Sequence, residues 1–467
     1  MTNRRSIFKL FLVVCVVSLF VLFFASDTMS SSKYFEKTPT SKLKCDCSHL
    51  PFSNVETQHT RVNETRTTFE IQKHKNGKFG IIREVFVGKE RPLQHDVSIV
   101  THLDGTRLQN SIDLANSWEG PIQVTVFLPT RKIWNITVNT IKHIRSKEVN
   151  VRRFVTYHIL FPLRKDYYSV KVKEEKKLKQ NNNLEFLTFP LDETFKNGNV
   201  TIEKVLEEFS ETNIKFALEG STREHIAFYP QTIAMNVALS SCKTDYFLCI
   251  DSDLIPSEGL RKHFIAFAEN HNLYALAKYH PPKARVGDIA HTKRAGNDVC
   301  YIHKDNEVRL PDMYVIPAFQ TKKEYPIPRT LKSLRAAVEA KTAGRFFQDI
   351  DSSSYPQTNH WKWLRTSDGG NLLSCLYEVK YSRLYEPFVI TRKGIPMYDE
   401  RFSGWSEVES HHKLLLATLG YRFIVLQNGF LVHYGWKVAS HVSEQKRHER
   451  DVHRGVWKDF NNDLKTL

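Results

Sequence analysis

Hydrophobic residues are most concentrated at the start of the chain, where residues 7–25 form an apolar run interrupted only by Lys9 and Ser18. At about 1.5 Å per residue, a helix of this length spans roughly 28 Å, close to the hydrocarbon thickness of a bilayer. Arg4 and Arg5 precede the run, and basic residues favour the cytosolic side. The pattern predicts a cytosolic tail at 1–6, a transmembrane signal-anchor at 7–25 and a lumenal remainder. A cleaved signal peptide is the alternative, because the preceding region is short and basic.

A polar region follows the apolar run. Residues 26–94 are rich in Ser, Thr, Lys and Asn and show little periodicity, which is typical of a stem that holds a folded body off a membrane. Near its end, residues 79–82 and 85–87 are apolar and predict a short hairpin. The folded domain is therefore expected to begin after residue 94.

Alternating strands and helices begin at Asp96. Residues 97–101 have the pattern of a buried strand, residues 107–118 have helical spacing, and residues 122–128 predict a second strand. A strand, a helix and a strand within about 35 residues form a βαβ unit. Because such a unit requires parallel pairing, the sequence predicts an α/β domain over residues 95–467.

The rest of the domain contains further periodic segments. They predict helices over 230–241 and 404–419 and strands over 246–250, 423–426 and 430–433. A polar, Lys-rich run at 171–183 is interpreted as a solvated helix or loop.

Composition and charge bear mainly on the compartment. The 467 residues carry 67 Lys and Arg against 51 Asp and Glu, and the net charge of +16 is compatible with many anionic partners. Glycosylation sequons begin at Asn63, Asn135 and Asn199. Six of the seven cysteines lie beyond the apolar run, and they permit 15 full pairings among which the sequence does not choose. The anchor and the sequons argue against a nucleic-acid-binding protein.

Two carboxylates follow a very apolar predicted strand. Asp251 and Asp253 come directly after residues 246–250, and ligands of open α/β sheets bind beyond the carboxyl ends of the strands. Both side chains can face one hard divalent cation, which can bridge the phosphates of a nucleotide. Asp349 and Asp351 have the same spacing but follow a weaker strand. The alternative for Asp251 and Asp253 is that they cap the start of a helix.

His433 is the candidate third ligand. It ends the apolar strand predicted at 430–433, and imidazole is a frequent partner of carboxylates in metal sites. The alternative is a histidine with an ordinary structural role, which is the commoner case for any single histidine.

Short motifs run in consistent order from residue 96 to residue 436. They are Asp96–Val100, Arg107–Gln109, Trp118–Ile122, Tyr229–Pro230, Asn236–Ala238, Asp251–Pro256, Val315–Phe319, Thr358–Asn359, Trp363, Tyr385–Phe388, Tyr398–Phe402, Gly404, Phe423–Leu426 and His433. In these residues the chain resembles the family-49 glycosyltransferases, which include the glucuronyltransferase domain of the LARGE proteins and a β-1,4-glucuronyltransferase. The resemblance implies a GT-A fold with a mixed central sheet, a UDP-sugar donor, Mn²⁺ (or Mg²⁺) and inversion at the anomeric carbon.

The resemblance also implies roles for individual residues. The implied metal ligands are Asp251, Asp253 and His433, and the implied donor-binding residues are Asp104, Arg107, Asn236, Asp251 and Asp253. For Asp104 the alternative is a carboxylate at a helix N-terminus, and for Arg107 it is an exposed arginine without such a role.

The chain departs from the family pattern in several places. Thr232 and Met235 replace the usual Asn and Arg, Tyr355 replaces a His, residues 406–409 replace a Gly-Trp-Asn-Lys segment, and Trp436 replaces a second His. The loss of the arginine removes a charge-assisted donor for an anionic substrate group.

An inverting transfer needs a base that deprotonates the acceptor hydroxyl as it attacks the anomeric carbon. The candidates are Glu407, Glu409 and Asp399. The alternative for the two glutamates is the charged first turn of the following helix, and for Asp399 it is a structural pair with Arg401.

The sequence thus predicts a single-pass type II membrane protein of the Golgi with a lumenal catalytic domain. Its expected activity is the metal-dependent transfer of glucuronate or N-acetylglucosamine from a UDP-sugar to a glycan or glycoprotein, and a homo-oligomer is compatible with the sequence. The alternative is a catalytically silent relative that binds glycans or a partner enzyme. Asp251, Asp253 and His433 argue against the silent relative, whereas the altered segments argue for it.

Overall fold

A computed structural model describes residues 68–129, 133–163, 186–188, 229–276, 312–349, 357–367, 370, 372–382, 385–404, 408–437 and 444–466. The predicted tail and anchor, most of the predicted stem, the Lys-rich run and Glu407 lie outside the described residues. In the part of the chain that the structure describes, no helix is both long and apolar enough to cross a membrane.

The strands of the described residues form one large and two small sheets. In chain order they are β1 (Thr68–Glu70), β2 (Gln72–Lys73), β3 (Phe79–Phe86), β4 (Val97–Asp104), β5 (Ile122–Phe127), β6 (Val155–Pro162), β7 (Phe186–Thr188), β8 (Tyr246–Cys249), β9 (Leu254–Pro256), β10 (Asp312–Val315), β11 (Ala318–Thr321), β12 (Ala343–Arg345), β13 (Ser374–Val379), β14 (Val389–Arg392), β15 (Arg422–Gln427) and β16 (Leu431–Tyr434).

The helices connect these strands and cover the sheets. They are α1 (Asn110–Trp118), α2 (Trp134–Lys147), α3 (Val149–Phe154), α4 (Gln231–Ser240), α5 (Leu260–Asn270), α6 (Leu331–Glu339), α7 (His360–Thr366), α8 (Val408–Thr418) and α9 (Glu444–Leu464), with short 3-10 turns at Gly105–Arg107 and Leu273–Leu276. The predicted βαβ unit is present, although a 3-10 turn precedes its helix.

The large sheet has the order β13-β15-β10-β14-β8-β4-β5-β6-β3-β2. Strands β8, β4, β5 and β6 are parallel to one another, whereas β14 and β3 pair antiparallel with β8 and β6. All residues of β5 and β6 are buried, which is expected of parallel strands covered on both faces. The prediction of an α/β domain with a mixed central sheet is confirmed.

The strand order contains a switch point beside β4. The chain proceeds from β4 to β5 and β6 on one side and then places β8 on the other side of β4. In open α/β sheets, a crevice forms at the carboxyl ends of the strands where the order reverses in this way. Asp104 ends β4 and Asp251 follows β8, so both lie at this crevice.

A four-stranded sheet of order β12-β11-β16-β9 adjoins the crevice. Strand β9 begins at Leu254, directly after Asp253, and pairs antiparallel with β16 in a register that places His433 opposite Leu254. Two segments that lie about 180 residues apart in the sequence are thereby brought to the same edge.

Two sequence predictions at the start of the domain are wrong. The apolar residues at 79–87 do not form a hairpin, because β3 is one continuous strand with an irregularity between Ile82 and Phe86, where Glu84 has a φ of +52°. Moreover, β2 and β3 belong to the large sheet, so this end of the predicted stem is part of the folded domain. The polar residues Arg83 and Glu84, at the irregularity, interrupt the apolar run of this strand and suggested two strands instead of one.

Helix α4 is buried on every side, from Gln231 to Leu239. It packs against β4 and β5 on one side. On its other side, the Thr232 hydroxyl donates to the Phe402 carbonyl at 2.7 Å. Since Met235 is 1% exposed, the position at which the family has an arginine is here a core position.

Candidate active site

The two carboxylates after β8 are separated by an inward-facing serine. Ser252 is buried, and its hydroxyl accepts a hydrogen bond from Asn110 Nδ2 at 3.0 Å. Asp251 and Asp253 stay partly exposed at the crevice. Burial raises the pKa of Asp251, and the negative charge of Asp253 raises it further.

His433 meets Asp253 in a geometry that suits a shared cation. His433 Nε2 lies 3.2 Å from Asp253 Oδ2. His433 Nδ1 donates to the Gly435 carbonyl at 2.6 Å, and a carbonyl only accepts, so in the neutral ring the lone pair is on Nε2. A metal-binding histidine commonly donates its other N–H to a carbonyl in this way.

The described residues hold no group of three or more His, Cys, Asp or Glu side chains arranged for a metal ion. What the structure does show is the pair Asp253 and His433, with Asp251 beside it. The metal-binding roles of these three residues stay predictions, and the donor set of two carboxylates and one imidazole fits a divalent ion.

Two basic side chains lie near the carboxylates. Arg107 Nη1 is 3.8 Å from Asp253 Oδ2, and its side chain is 47% exposed. Burial alone would raise the pKa of Asp253, but His433, Lys437 and Arg107 lower it below its usual range. The crevice therefore combines negative charge with cations suited to an anionic ligand.

Asp104 has the capping role that was its alternative interpretation. Its carboxylate accepts from the Thr106 backbone N–H at 2.8 Å, and also from the Thr106 hydroxyl, at the start of the 3-10 turn. Contacts of Asp104 and Arg107 with a nucleotide stay predictions.

Asn236 is engaged in holding another segment. Its Nδ2 donates to the Tyr398 carbonyl at 2.9 Å and to Glu400 Oε1 at 3.0 Å, while its Oδ1 accepts from the Tyr398 N–H at 2.9 Å. The amide is 8% exposed and supports residues 398–400. Its predicted contact with the donor stays a prediction.

The described base candidates differ in their surroundings. Asp399 accepts hydrogen bonds from the Arg401 guanidinium at 2.9 and 3.0 Å, which matches its alternative as a structural pair. Burial acts to raise the pKa of Asp399, but Arg401 brings it below its usual value. Asp399 is therefore held as an ionised partner of Arg401.

Glu409 is held through one oxygen. Its Oε2 accepts from the Tyr398 hydroxyl at 3.2 Å and from Lys413 Nζ at 2.8 Å. The Lys413 side chain is 4% exposed, whereas that of Glu409 is 25% exposed. Glu409 also contributes to the raised pKa of Asp251 and thus acts electrostatically on the crevice. A carboxylate anchored on one oxygen and partly exposed is suited to accept a proton.

Sequence reasoning missed several residues around the site. Lys413 stands four residues after Glu409, a helical spacing that could have indicated the pair. The contact between the Tyr229 hydroxyl and His102 Nδ1, at 2.9 Å, joins distant segments and has no sequence signal. Burial lowers the pKa of His102 to about 4, so the ring is neutral at the crevice.

A mixed α/β sheet with an acidic pair at its switch point and a separate carboxylate is an architecture suited to sugar transfer. The sequence model of the family described as glycosyl-transferase for dystroglycan matches residues 96–467. The chain belongs to this family, the family-49 glycosyltransferases, and is a glycosyltransferase.

Relatives support this assignment. The chain is 24% identical to "Beta-1,4-glucuronyltransferase 1" of Mus musculus over 373 residues, which are 79% of this chain and 75% of the relative. It is 27% identical to "Xylosyl- and glucuronyltransferase LARGE1" of Gallus gallus over 207 residues, 44% of this chain and 22% of the relative. The crystal structure of S. aureus TarS aligns over 73% of this chain and 37% of that one, with 11% identity and a TM-score of 0.28, which is too low to inform the fold.

Proposed function

We propose that this protein is an inverting, metal-dependent glycosyltransferase with a GT-A type fold that moves a sugar from a UDP-sugar to a glycan. The observation that carries the proposal is the approach of His433 Nε2 to within 3.2 Å of Asp253 Oδ2 at the end of β8. Because the relatives are named glucuronyltransferases, glucuronate is the first donor sugar to test, and N-acetylglucosamine is the second.

Asp251, Asp253 and His433 would hold the metal, Mn²⁺ or Mg²⁺. A divalent ion bound there supplies positive charge that stabilises the leaving diphosphate. Arg107 and Lys437, whose charges both act on Asp253, would add to the attraction for phosphate. The lone pair of His433 Nε2, fixed by the Nδ1 hydrogen bond, supports this assignment.

Glu409 is the base that the geometry favours. It would accept the proton of the acceptor hydroxyl as that oxygen forms a bond to the anomeric carbon and the bond to the UDP oxygen breaks. The Tyr398 hydroxyl and Lys413 Nζ both donate to its Oε2 and fix the position of the carboxylate. Asp399 is a weaker candidate because Arg401 engages both of its oxygens. Glu407 lies outside the described residues.

The location belongs to the proposal. Residues 7–25 would anchor the chain in the Golgi membrane as a type II protein, with a glycan or glycoprotein acceptor in the lumen. A family described as acting on dystroglycan makes a glycoprotein glycan the acceptor to test first. If the protein gains mobility on a gel after enzymatic removal of N-glycans, and Asn63→Gln loses this shift, the domain lies in the lumen as proposed. If none of the three sequons carries a glycan, the proposed lumenal location is contradicted.

The decisive experiment uses the detergent-solubilised full chain. Titration calorimetry with UDP, with and without Mn²⁺, is expected to show binding that depends on the metal. A donor screen with several UDP-sugars should then identify turnover that EDTA stops. The buried Met235, in place of the family's arginine, favours the alternative of a silent relative. Absence of metal-dependent UDP binding would support that alternative and refute the proposed metal-dependent use of a UDP-sugar.

A further inference from the structure

The C-terminal helix α9 presents one buried face to the rest of the domain. Glu449, His453, Trp457 and Phe460 recur at helical spacing and are all buried. In contrast, Arg454 has an 81% exposed side chain. The helix is therefore amphipathic, and its buried face includes two polar residues, Glu449 and His453, besides two aromatic ones.

The aromatic part of this face surrounds Phe402. The ring centroid of Phe402 lies 5.1 Å from that of Trp457 and 5.6 Å from that of Phe460, in edge-to-face geometry. On another side, Phe402 stacks on His411 of α8 at 4.1 Å with an interplanar angle of 7°. Phe402 thus connects α9 with α8, the helix that carries Glu409.

The polar part of the face contacts the backbone that follows Phe402. His453 Nε2 accepts a hydrogen bond from the Ser403 N–H at 3.2 Å. In the same segment, His411 Nε2 accepts from the Asp399 N–H at 3.1 Å. We call residues 398–404 the acceptor-side segment; histidines of α8 and α9 bind its backbone at two points.

Gly404 ends this segment in a conformation that only glycine adopts readily. Its φ is +85°, and a Cβ there would lie 2.4 Å from Glu449 Cδ. Its N–H donates to the Tyr229 carbonyl at 2.8 Å, and the Tyr229 hydroxyl is bonded to His102 of β4. The acceptor-side segment is therefore fixed between α9 and the edge of the sheet that bears the carboxylates.

We propose that His453 is a positioning residue: through Ser403, it holds the acceptor-side segment and thereby the Tyr398 hydroxyl that orients Glu409. His453 itself touches no substrate. The proposal rests on the proposed function, since it assigns α9 to the placement of the base. Loss of the contact should slow the chemical step while donor binding at the carboxylates is retained.

The test compares His453→Ala with His453→Gln in the full chain. A glutamine Oε1 can take the place of Nε2 as acceptor for the Ser403 N–H, whereas alanine cannot. We expect His453→Ala to lower kcat about tenfold, consistent with the loss of one buried hydrogen bond, and His453→Gln to restore most of it. Affinity for UDP with Mn²⁺ should stay within about twofold in both variants. Arg454→Ala, on the exposed side of α9, is the control and should match the wild type.

Three results would overturn the proposal. The first is an unchanged kcat in His453→Ala. The second is a loss of UDP affinity in His453→Ala that parallels its loss of kcat. The third is a His453→Gln variant that melts at the wild-type temperature but does not recover activity. If His453→Ala does not fold, His453→Leu takes its place, because leucine fills the buried position but offers no acceptor to the Ser403 N–H. His453→Leu should keep UDP affinity and lose turnover, whereas His453→Gln should keep both. Absence of metal-dependent UDP binding in the wild type would instead refute the proposed function, and the positioning role with it.

Discussion

The two sides of the crevice are built differently. The donor half, formed by β4, β5, β6, β8 and the turn at 251–253, places its charged residues at the ends of adjacent parallel strands. The acceptor half, formed by the acceptor-side segment with α8 and α9, places Glu409 through hydrogen bonds from Tyr398 and Lys413. In the donor half the sheet itself determines the position of a side chain, whereas in the acceptor half side-chain contacts determine it. A substitution of a charged residue in the donor half should therefore abolish most of the activity, whereas substitutions in the acceptor half should reduce activity by smaller, graded amounts.

The largest effect is expected at Asp253. Asp253→Asn keeps the volume but removes the charge that faces His433, so activity should fall by about 10³-fold or more. Steady-state kinetics with the donor identified in the screen measures this loss of activity. Asp349→Asn is the matched control, because Asp349 has the same Asp-x-Asp spacing but is exposed and accepts a hydrogen bond from Trp436 Nε1. An Asp253→Asn variant with a tenth of wild-type activity would contradict the assignment.

The acceptor half is tested at its two carboxylates. Glu409→Gln should lower kcat about 10²-fold, because an amide cannot accept the proton of the acceptor hydroxyl. Asp399→Asn should cost less than about tenfold, because it weakens the pair with Arg401 without removing the base. Rate measurements at saturating donor compare them. The reverse order of effects would transfer the role to Asp399.

A stability test examines the far end of the donor half. Arg261 binds both oxygens of Asp96, at 2.8 and 2.7 Å, and Asp96 is only 2% exposed. Arg261→Ala leaves a buried carboxylate unpaired and should lower the free energy of unfolding by about 3 kcal/mol. The neighbouring Lys262 forms an exposed pair with Glu119, so Lys262→Ala should cost less than about 1 kcal/mol. Denaturant unfolding measures both, and equal losses would contradict the argument.

A smaller effect compares buried histidines of the two halves. Burial lowers the pKa of His158 in β6 and of His412 in α8, each to about 3, so both rings are neutral when folded. The unfolded chain binds the protons first, so stability falls as the pH drops below about 6.5. Each histidine should contribute about 1.4 kcal/mol per pH unit well below that value. Unfolding between pH 6.5 and 5 should show a shallower slope in His158→Gln and His412→Gln. Unchanged slopes would contradict these pKa directions.

The donor half was largely predictable from the sequence. Strands β4, β5 and β8 are apolar runs, and Asp251 and Asp253 follow one of them. Only the order of these strands in the sheet was missing from the sequence to locate the switch point. The proximity of His433 was predicted, but the pairing of β16 with β9 that causes it was not. In the acceptor half, the candidates Glu409 and Asp399 were named from the sequence alone. The pairing of Asp399 with Arg401 was an alternative from the sequence, and the spacing of Glu409 and Lys413 allowed their pair, but the burial of Lys413 and the hydrogen bond from Tyr398 required the tertiary structure.

The sequence by itself determined the α/β class, the strand that delivers the carboxylates and the residue types able to bind a cation, because period and residue chemistry are local properties. The tertiary structure decided which of these residues meet. It placed β3 in the sheet, directed Asn236 to Tyr398 rather than leaving it exposed, and fixed the acceptor-side segment between α4 and α9. Such choices depend on contacts between segments that lie 50 to 162 residues apart in the sequence. Burial and hydrogen-bond geometry select them only once the chain is packed.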